Sequence, residues 1–243
     1  QSRRVSYRQH FKVISQTMIK NITIIYYTPN YEDETFAEKI RQALLKTIGN
    51  TPLISVSQKP LKFGKNICVG DIGRSPRNVY KQMLSGAKEA TTDYVGMAED
   101  DTLYHPSHYD SIYLPPLDTF AYNMSRWSIA PWLKPPVYSA VNTPCNSNMI
   151  APRKLLIELL EKRFAKFPNV ADGNLWNEPG KYDEHHGLGK YKVKKFATNP
   201  TVSFTHYESL GYAFMKKRKR IHPFRAYDVP YWGKVSDLMV KYL

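Results

Sequence analysis

Two cysteines in 243 residues, Cys68 and Cys145, are too few for a disulfide framework and fit no metal or redox spacing. A reducing interior is therefore the easier environment. Long hydrophobic runs are missing as well. The longest, such as ITIIYY at 22–27, fall far short of the roughly 20 residues a membrane span needs. The first seventeen residues, QSRRVSYRQHFKVISQT, are basic but lack the apolar centre of a secretory signal. They read as an N-terminal extension, 1–17, with no function assigned. Internal repeats and low-complexity tracts are absent too, which excludes solenoids and arrays. These absences point to a soluble protein with a single domain over 18–243.

Acids are the scarce charge. Against 35 Lys+Arg stand 21 Asp+Glu, giving a net charge of +14 and a pI near 9.6. Such an excess implies a polyanionic partner: nucleic acid, an acidic membrane surface or a phosphate-rich substrate. A merely soluble basic surface is the bland alternative. The excess is uneven: residues 189–225 inclusive hold ten Lys/Arg and one acid, Glu208. Apolar and aromatic residues are plentiful, at 42% and 13%, which supports a packed core and excludes disorder.

IKNITIIYY, from Ile19, reads as a first core strand because β-branched residues dominate it. TFAEKIRQALLKTIG then places Phe36, Ile40, Ala43, Leu44 and Ile48 on one helical face, with Gly49 where a helix stop belongs. TPLISVSQ is a second strand, SPRNVYKQMLSGAKEA a second helix with Pro76 in its first turn, and TDYVGMAED a third strand. Strand, helix, strand, helix, strand is the grammar of an open α/β sheet. Seven prolines between 113 and 152 then exclude long helices and predict strands and turns, including TFAYNMSRWSIA and PVYSAV. RKLLIELLEKRFAKF restores a helix, with Leu155, Leu156, Leu159, Leu160 and Phe164 as its buried stripe.

The third strand ends in three acids, Glu99, Asp100 and Asp101. Unpaired carboxylates are too costly to bury, so they face water, a cation or a ligand. In open α/β sheets ligands bind beyond the carboxyl ends of the strands, where these acids stand. Side chains alternate along a strand, so Glu99 and Asp101 share a side and Asp100 is expected to face the other way. Mg and Mn take oxygen ligands, commonly one or two carboxylates plus substrate phosphates. An acidic turn after an edge strand is the alternative.

GRSPRNVYKQMLSGAKEATTDYVGMAEDD, 73–101, resembles the nucleotide-sugar half of GT-A glycosyltransferases, over roughly residues 20–110. Those enzymes pair an Arg-Asn helix start with a downstream acid-x-acid motif that holds the donor's metal. FAYNMSRW, NMIAPRKLLIELLEKRF and PFRAYDVPYWG resemble the phage-type branch linked with DNA-base glycosylation, the TET/JBP-associated glycosyltransferases. Glu99 departs from the usual motif, where aspartate is commoner. The resemblance implies a GT-A, Rossmann-like open mixed sheet flanked by helices. Residues 18–110 would be its nucleotide-sugar half and 111–243 a Pro- and aromatic-rich acceptor half. It also implies a UDP-sugar donor, a Mn or Mg ion, an inverting mechanism, a hydroxymethylated pyrimidine of DNA as acceptor, and a cytoplasmic setting, that of the host if phage-encoded. Thr28, Asn30 and Ser57 would line the nucleoside pocket, and Arg77 would fix it or approach the diphosphate. Glu99 would meet the ribose or a metal-bound water, Asp101 would ligate the metal, and His206 would be a late histidine ligand.

The acceptor hydroxyl needs a base. GKYDEHHGLGK offers Asp183 and Glu184 between glycines, and the resemblance favours Asp183, with Glu184 next; a solvated polar loop is the alternative. The densest basic run, FMKKRKRIH, would either close Lys217 and Arg218 over the diphosphate or track a nucleic-acid backbone. Tyr122, Trp127, Trp132, Tyr138, Tyr231 and Trp232 are candidate stacking platforms as well as core residues. A polysaccharide or lipopolysaccharide glycosyltransferase and a catalytically silent nucleic-acid-binding module are the two rival readings.

Overall fold

Every residue of ITIIYYT (Ile22–Thr28, β1) is buried, as expected of a strand covered on both faces. Ile25 and Tyr27 pack to one side, while Ile22, Ile24 and Tyr26 pack to the other. The computed structural model describes residues 21–170, 175–205 and 223–243. On one side of β1 lie β2 (Leu53–Ser57) and β3 (Lys65–Cys68), and on the other β4 (Tyr94–Glu99), all parallel. The short, half-exposed β3 carries no period-2 pattern of its own and is not legible from sequence.

The sheet continues through β6 (Thr119–Asn123), β9 (Met149–Pro152) and β10 (Lys192–Phe196), in the order β10-β6-β9-β4-β1-β2-β3. β9 runs against both its neighbours, so the sheet is mixed. Helices α2 (Pro76–Glu89) and α3 (Arg153–Lys166) cover one face through Tyr80, Met83, Leu156 and Leu160. Helix α1 (Glu34–Ile48) covers the other through Leu44 and Ile48. The α/β fold, an open mixed sheet flanked by helices, is the one expected. The sheet draws strands from both sides of residue 110, so both halves contribute to the cores on its two faces.

Local chemistry sets the helix positions. The Asp33 side chain accepts from the Phe36 N–H at 3.0 Å and Ser75 caps α2 by accepting from Asn78 at 3.2 Å, with Pro76 in the first turn as expected. Gly49 ends α1 at φ 56°, a conformation glycine adopts without strain. Gly86 lets α2 approach β1, because a Cβ there would lie 2.6 Å from Ile25 Cγ2.

TFAYNMSRWSIA splits in two. Its first part is β6; its second, β7 (Arg126–Ala130), belongs to a five-stranded sheet. That sheet also holds β5 (Thr102–Leu103), β8 (Val137–Ala140), β11 (Thr201–Phe204) and β12 (Arg225–Ala226), in the order β12-β8-β7-β11-β5. A hairpin of β13 (Asp228–Val229) and β14 (Gly233–Lys234) leads into α4 (Val235–Tyr242). Phe36 and Ile40 of α1 meet Ile129, Tyr138, Phe204 and Leu238 in a third core. Among the described residues no helix is long and apolar enough to cross a membrane.

Candidate active site

The carboxyl ends of β1, β2 and β4 open on a cavity of about 450 Å³, and Glu99, Asp100 and Asp101 all line it. Asp100 was expected to point away. β4 ends at Glu99, so strand alternation stops there and the following turn brings Asp100 round to the same cavity. Each acid is held by a neighbour. Tyr27 donates its hydroxyl to Glu99 at 2.6 Å, Thr28 donates to Asp100, and Thr102 donates to Asp101 Oδ1 at 2.7 Å. The second sheet braces the cluster, since the Phe204 N–H donates to the Asp101 carbonyl at 2.8 Å.

The opposite wall comes from the start of α2 and from 176–178. Gln58 donates to the Gly73 carbonyl at 2.8 Å and accepts from the Ile72 N–H at 3.1 Å, shaping the turn that carries Arg74 into the cavity. Buried Gln82 ties the ends of β1 and β2 by donating to the Thr28 and Val56 carbonyls at 2.8 and 3.0 Å. Beside Glu32, which also lines the cavity, Glu178 adds a fifth acid, and sequence reading missed both. The Glu178 segment, NLWNEPG, has no periodicity; only its position just before GKYDEHHGLGK was a clue. Arg126 on β7, also missed, places its positive charge within electrostatic range of both Glu99 and Asp101.

The resemblance-derived residues behave differently from one another. Thr28 is drawn in through Asp100. Asn30, at φ 59°, uses its side-chain oxygen to accept from the N–H groups of Gln58 and Lys59 at 2.8 and 3.0 Å, so it ties β1 to β2 rather than lining the cavity. Ser57 is fully buried; it donates to the Lys59 carbonyl at 2.6 Å and accepts from Asn66 at 2.8 Å. Arg77 turns away, donating to the Pro168 carbonyl with its guanidinium 5.1 Å from the Phe164 ring.

Asp183 needs the clearest correction. It is 2% exposed and forms an ion pair with the buried Arg163 at 2.5 Å. Its other oxygen accepts from the Gly180 N–H at 2.6 Å, so both are engaged inside the fold, away from any acceptor in solvent. Arg163 in turn donates to the Asn177 carbonyl at 2.7 Å and lies 5.0 Å over the Tyr80 ring. Asn177 and Tyr80 both line the cavity, so the pair supports its wall from behind. Glu184 is exposed on a separate surface, 3.9 Å from Lys190. Tyr122 and Tyr138 are core residues, not platforms. His206, Lys217 and Arg218 lie outside the described residues.

Crowded carboxylates hold protons. Burial first, and the adjacent Asp101 charge second, raise Glu99 from an ordinary 4.5 to about 7, against the lowering effects of Tyr27 and Arg126. Burial and Asp101 push Asp100 well up as well. The folded protein therefore keeps protons that the unfolded chain releases between about pH 4.5 and 7. Stability of the metal-free protein falls as pH rises through that window. Thermal melting at pH 5 and pH 8 checks this: the midpoint is lower at pH 8, and Glu99→Gln flattens the slope.

Hard oxygen donors lining a cavity of about 450 Å³ fit Mn or Mg held by one or two carboxylates plus a ligand's phosphates. They do not form a full protein cage. Among the described residues no group of three or more His, Cys, Asp or Glu can share one ion.

No family model and no curated protein matches the chain. Among solved structures it is similar to a glycosyltransferase involved in glycosylating the major capsid of PBCV-1, at 14% identity and a TM-score of 0.45, over 72% of this chain and 81% of that one. It is similar to the inositol-1-phosphate CTP transferase from T. maritima, at 9% identity and 0.47, over 85% and 99%. It is also similar to glucosyl-3-phosphoglycerate synthase from Mycobacterium tuberculosis, solved with Mn2+, UDP and phosphoglyceric acid, at 11% and 0.43, over 80% and 74%. None of these three is described as acting on DNA. Likenesses this distant do not decide between sugar transfer and nucleotidyl transfer, and the functional reading rests on the cleft.

Proposed function

We propose that the cleft binds a UDP-linked sugar with Mn or Mg and transfers the sugar to a hydroxyl acceptor with inversion. The observation that carries this reading is the convergence of Glu99, Asp100, Asp101 and Glu178 on one cavity at the ends of the parallel strands. Asp101 is the proposed first ligand, with Glu99 beside it. Bound there, the cation supplies charge that stabilises a leaving diphosphate. His206, which lies outside the described residues, is proposed as a further ligand. Arg74 at the cavity rim, with Lys217 and Arg218, is proposed to offset the phosphate charge.

The base role passes from Asp183 to Glu178, the carboxylate that faces the cavity from the wall opposite the acid turn. Lys181 holds it at 3.2 Å. Glu178→Gln is expected to lower turnover by about 10²–10⁴-fold with donor affinity little changed, measured as separate kcat and KM values. A loss under about tenfold removes Glu178 from that role.

The proposed acceptor is the hydroxymethyl group of a modified pyrimidine in DNA. A net charge of +14 and the resemblance of FAYNMSRW and PFRAYDVPYWG support it. The rival reading, a silent nucleic-acid-binding module, is favoured by the way Tyr27 and Thr28 already occupy Glu99 and Asp100. Incubation with a panel of nucleotide sugars, with and without hydroxymethylated duplex DNA, separates the two. Sugar transfer to the modified duplex alone supports the proposal. Donor turnover without DNA transfer moves the acceptor elsewhere, and binding without any turnover favours the silent module.

A further inference from the structure

A second cavity is lined by α1 and shares no lining residue with the acid cleft. Its volume is about 370 Å³, within the range of small-molecule sites. Tyr104, Tyr231, Trp232 and Tyr242 form its walls, and Lys39, Lys46 and Lys241 stand around them. The one acid there, Glu38, already accepts from Arg41 at 2.6 Å and from Gln42 at 2.7 Å. Among the described residues no carboxylate comes within ion-pair distance of the three lysines. Lys39 donates to the Tyr242 carbonyl at 3.1 Å, and Lys241 lies 5.3 Å over the Tyr242 ring, so these charges are held beside the aromatic wall.

Tyr231 is the unusual member. It has φ 71°, a left-handed conformation that a bulky side chain adopts only at some strain, and its ring is 61% exposed. It is nonetheless fixed, edge-on to His105 at 4.2 Å and to Trp232 at 4.8 Å. Trp232 is anchored by donating its indole N–H to the Pro200 carbonyl at 2.7 Å. A strained, exposed and braced aromatic beside three lysines without carboxylate partners has no role in packing that explains it. Flat rings for stacking with cations at the rim is how proteins hold a base together with its phosphate.

We infer that this cavity is a nucleotide-binding site, taking one base against the Tyr231 ring beside Trp232 and its phosphate on Lys46 and Lys241. The nucleotide is either free or one unit of a single strand. Tyr104 connects the site to the cleft, because its ring lines the cavity while its hydroxyl accepts from the Glu99 N–H at 3.0 Å.

The test is tryptophan fluorescence of the full chain titrated with UMP and with decathymidylate, with Trp232→Phe defining the signal that belongs to this site. Quenching of that signal is expected, and the doubly substituted Lys46→Gln/Lys241→Gln protein binds about tenfold more weakly at low salt. Quenching by UMP at comparable affinity identifies a free-nucleotide site, and at least tenfold tighter quenching by decathymidylate identifies a strand site. Tyr231→Gly relieves the backbone strain, so it is expected to lose binding without lowering the melting midpoint. Asp101→Ala leaves the quenching intact, which keeps this site independent of the cleft's chemistry. Absence of any Trp232-dependent quenching by either probe, or lysine substitutions that leave affinity within twofold, overturns the inference.

Discussion

Asp183→Asn is expected to destabilise the protein by about 3–5 kcal/mol, because it leaves the Arg163 charge buried without its partner. In a chain of this length that lowers the melting midpoint by about 6–20 °C. The paired Arg163→Met/Asp183→Leu protein recovers part of the loss, since two apolar side chains carry no buried charge. Recovery is incomplete because Arg163 also donates to Asn177 and supports Tyr80. Melting and donor titration together decide the matter. A structural Asp183 lowers stability far more than it lowers turnover of the protein that remains folded. A variant of unchanged stability with turnover reduced more than about a hundredfold would return Asp183 to the base role.

Asp101→Ala is expected to reduce donor turnover by at least about 10²-fold, through loss of charge stabilisation at the leaving group. The fold tolerates the change, because its tie to β11 runs through the backbone carbonyl and survives. Removing this charge also relieves its neighbour, so Glu99 titrates lower than in the parent protein. Steady-state kinetics and the pH dependence of melting read the two effects separately. Near-parental turnover in the alanine protein removes Asp101 from the chemistry.

How much of this was legible without coordinates depended on the range of the interactions. β1, α1, β2, α2 and β4 were readable because period and stops are local: Gly49 and Pro76 act within a turn of their own helices. The acids at 99–101 were readable because a strand ending in carboxylates is a local anomaly. Asp100 was misplaced because alternation was extended past the end of the strand. Asp183 was misread for a different reason. Its partner Arg163 lies twenty residues earlier on α3, on a helix face whose leucines gave no sign of a buried cation. Glu178 and Arg126 reach the cleft from irregular chain and from a second sheet, so only the tertiary fold places them beside Glu99.

Calorimetric titration of UDP into the 243-residue chain, in manganese and again in EDTA, bears most directly on the central claim that the 99–101 acids serve a cation-assisted nucleotide-diphosphate site. Binding in manganese is predicted to be lost or at least tenfold weaker in EDTA, and equally weakened in manganese by Asp101→Ala. UDP affinity that is the same in manganese, in EDTA and in Asp101→Ala would contradict it.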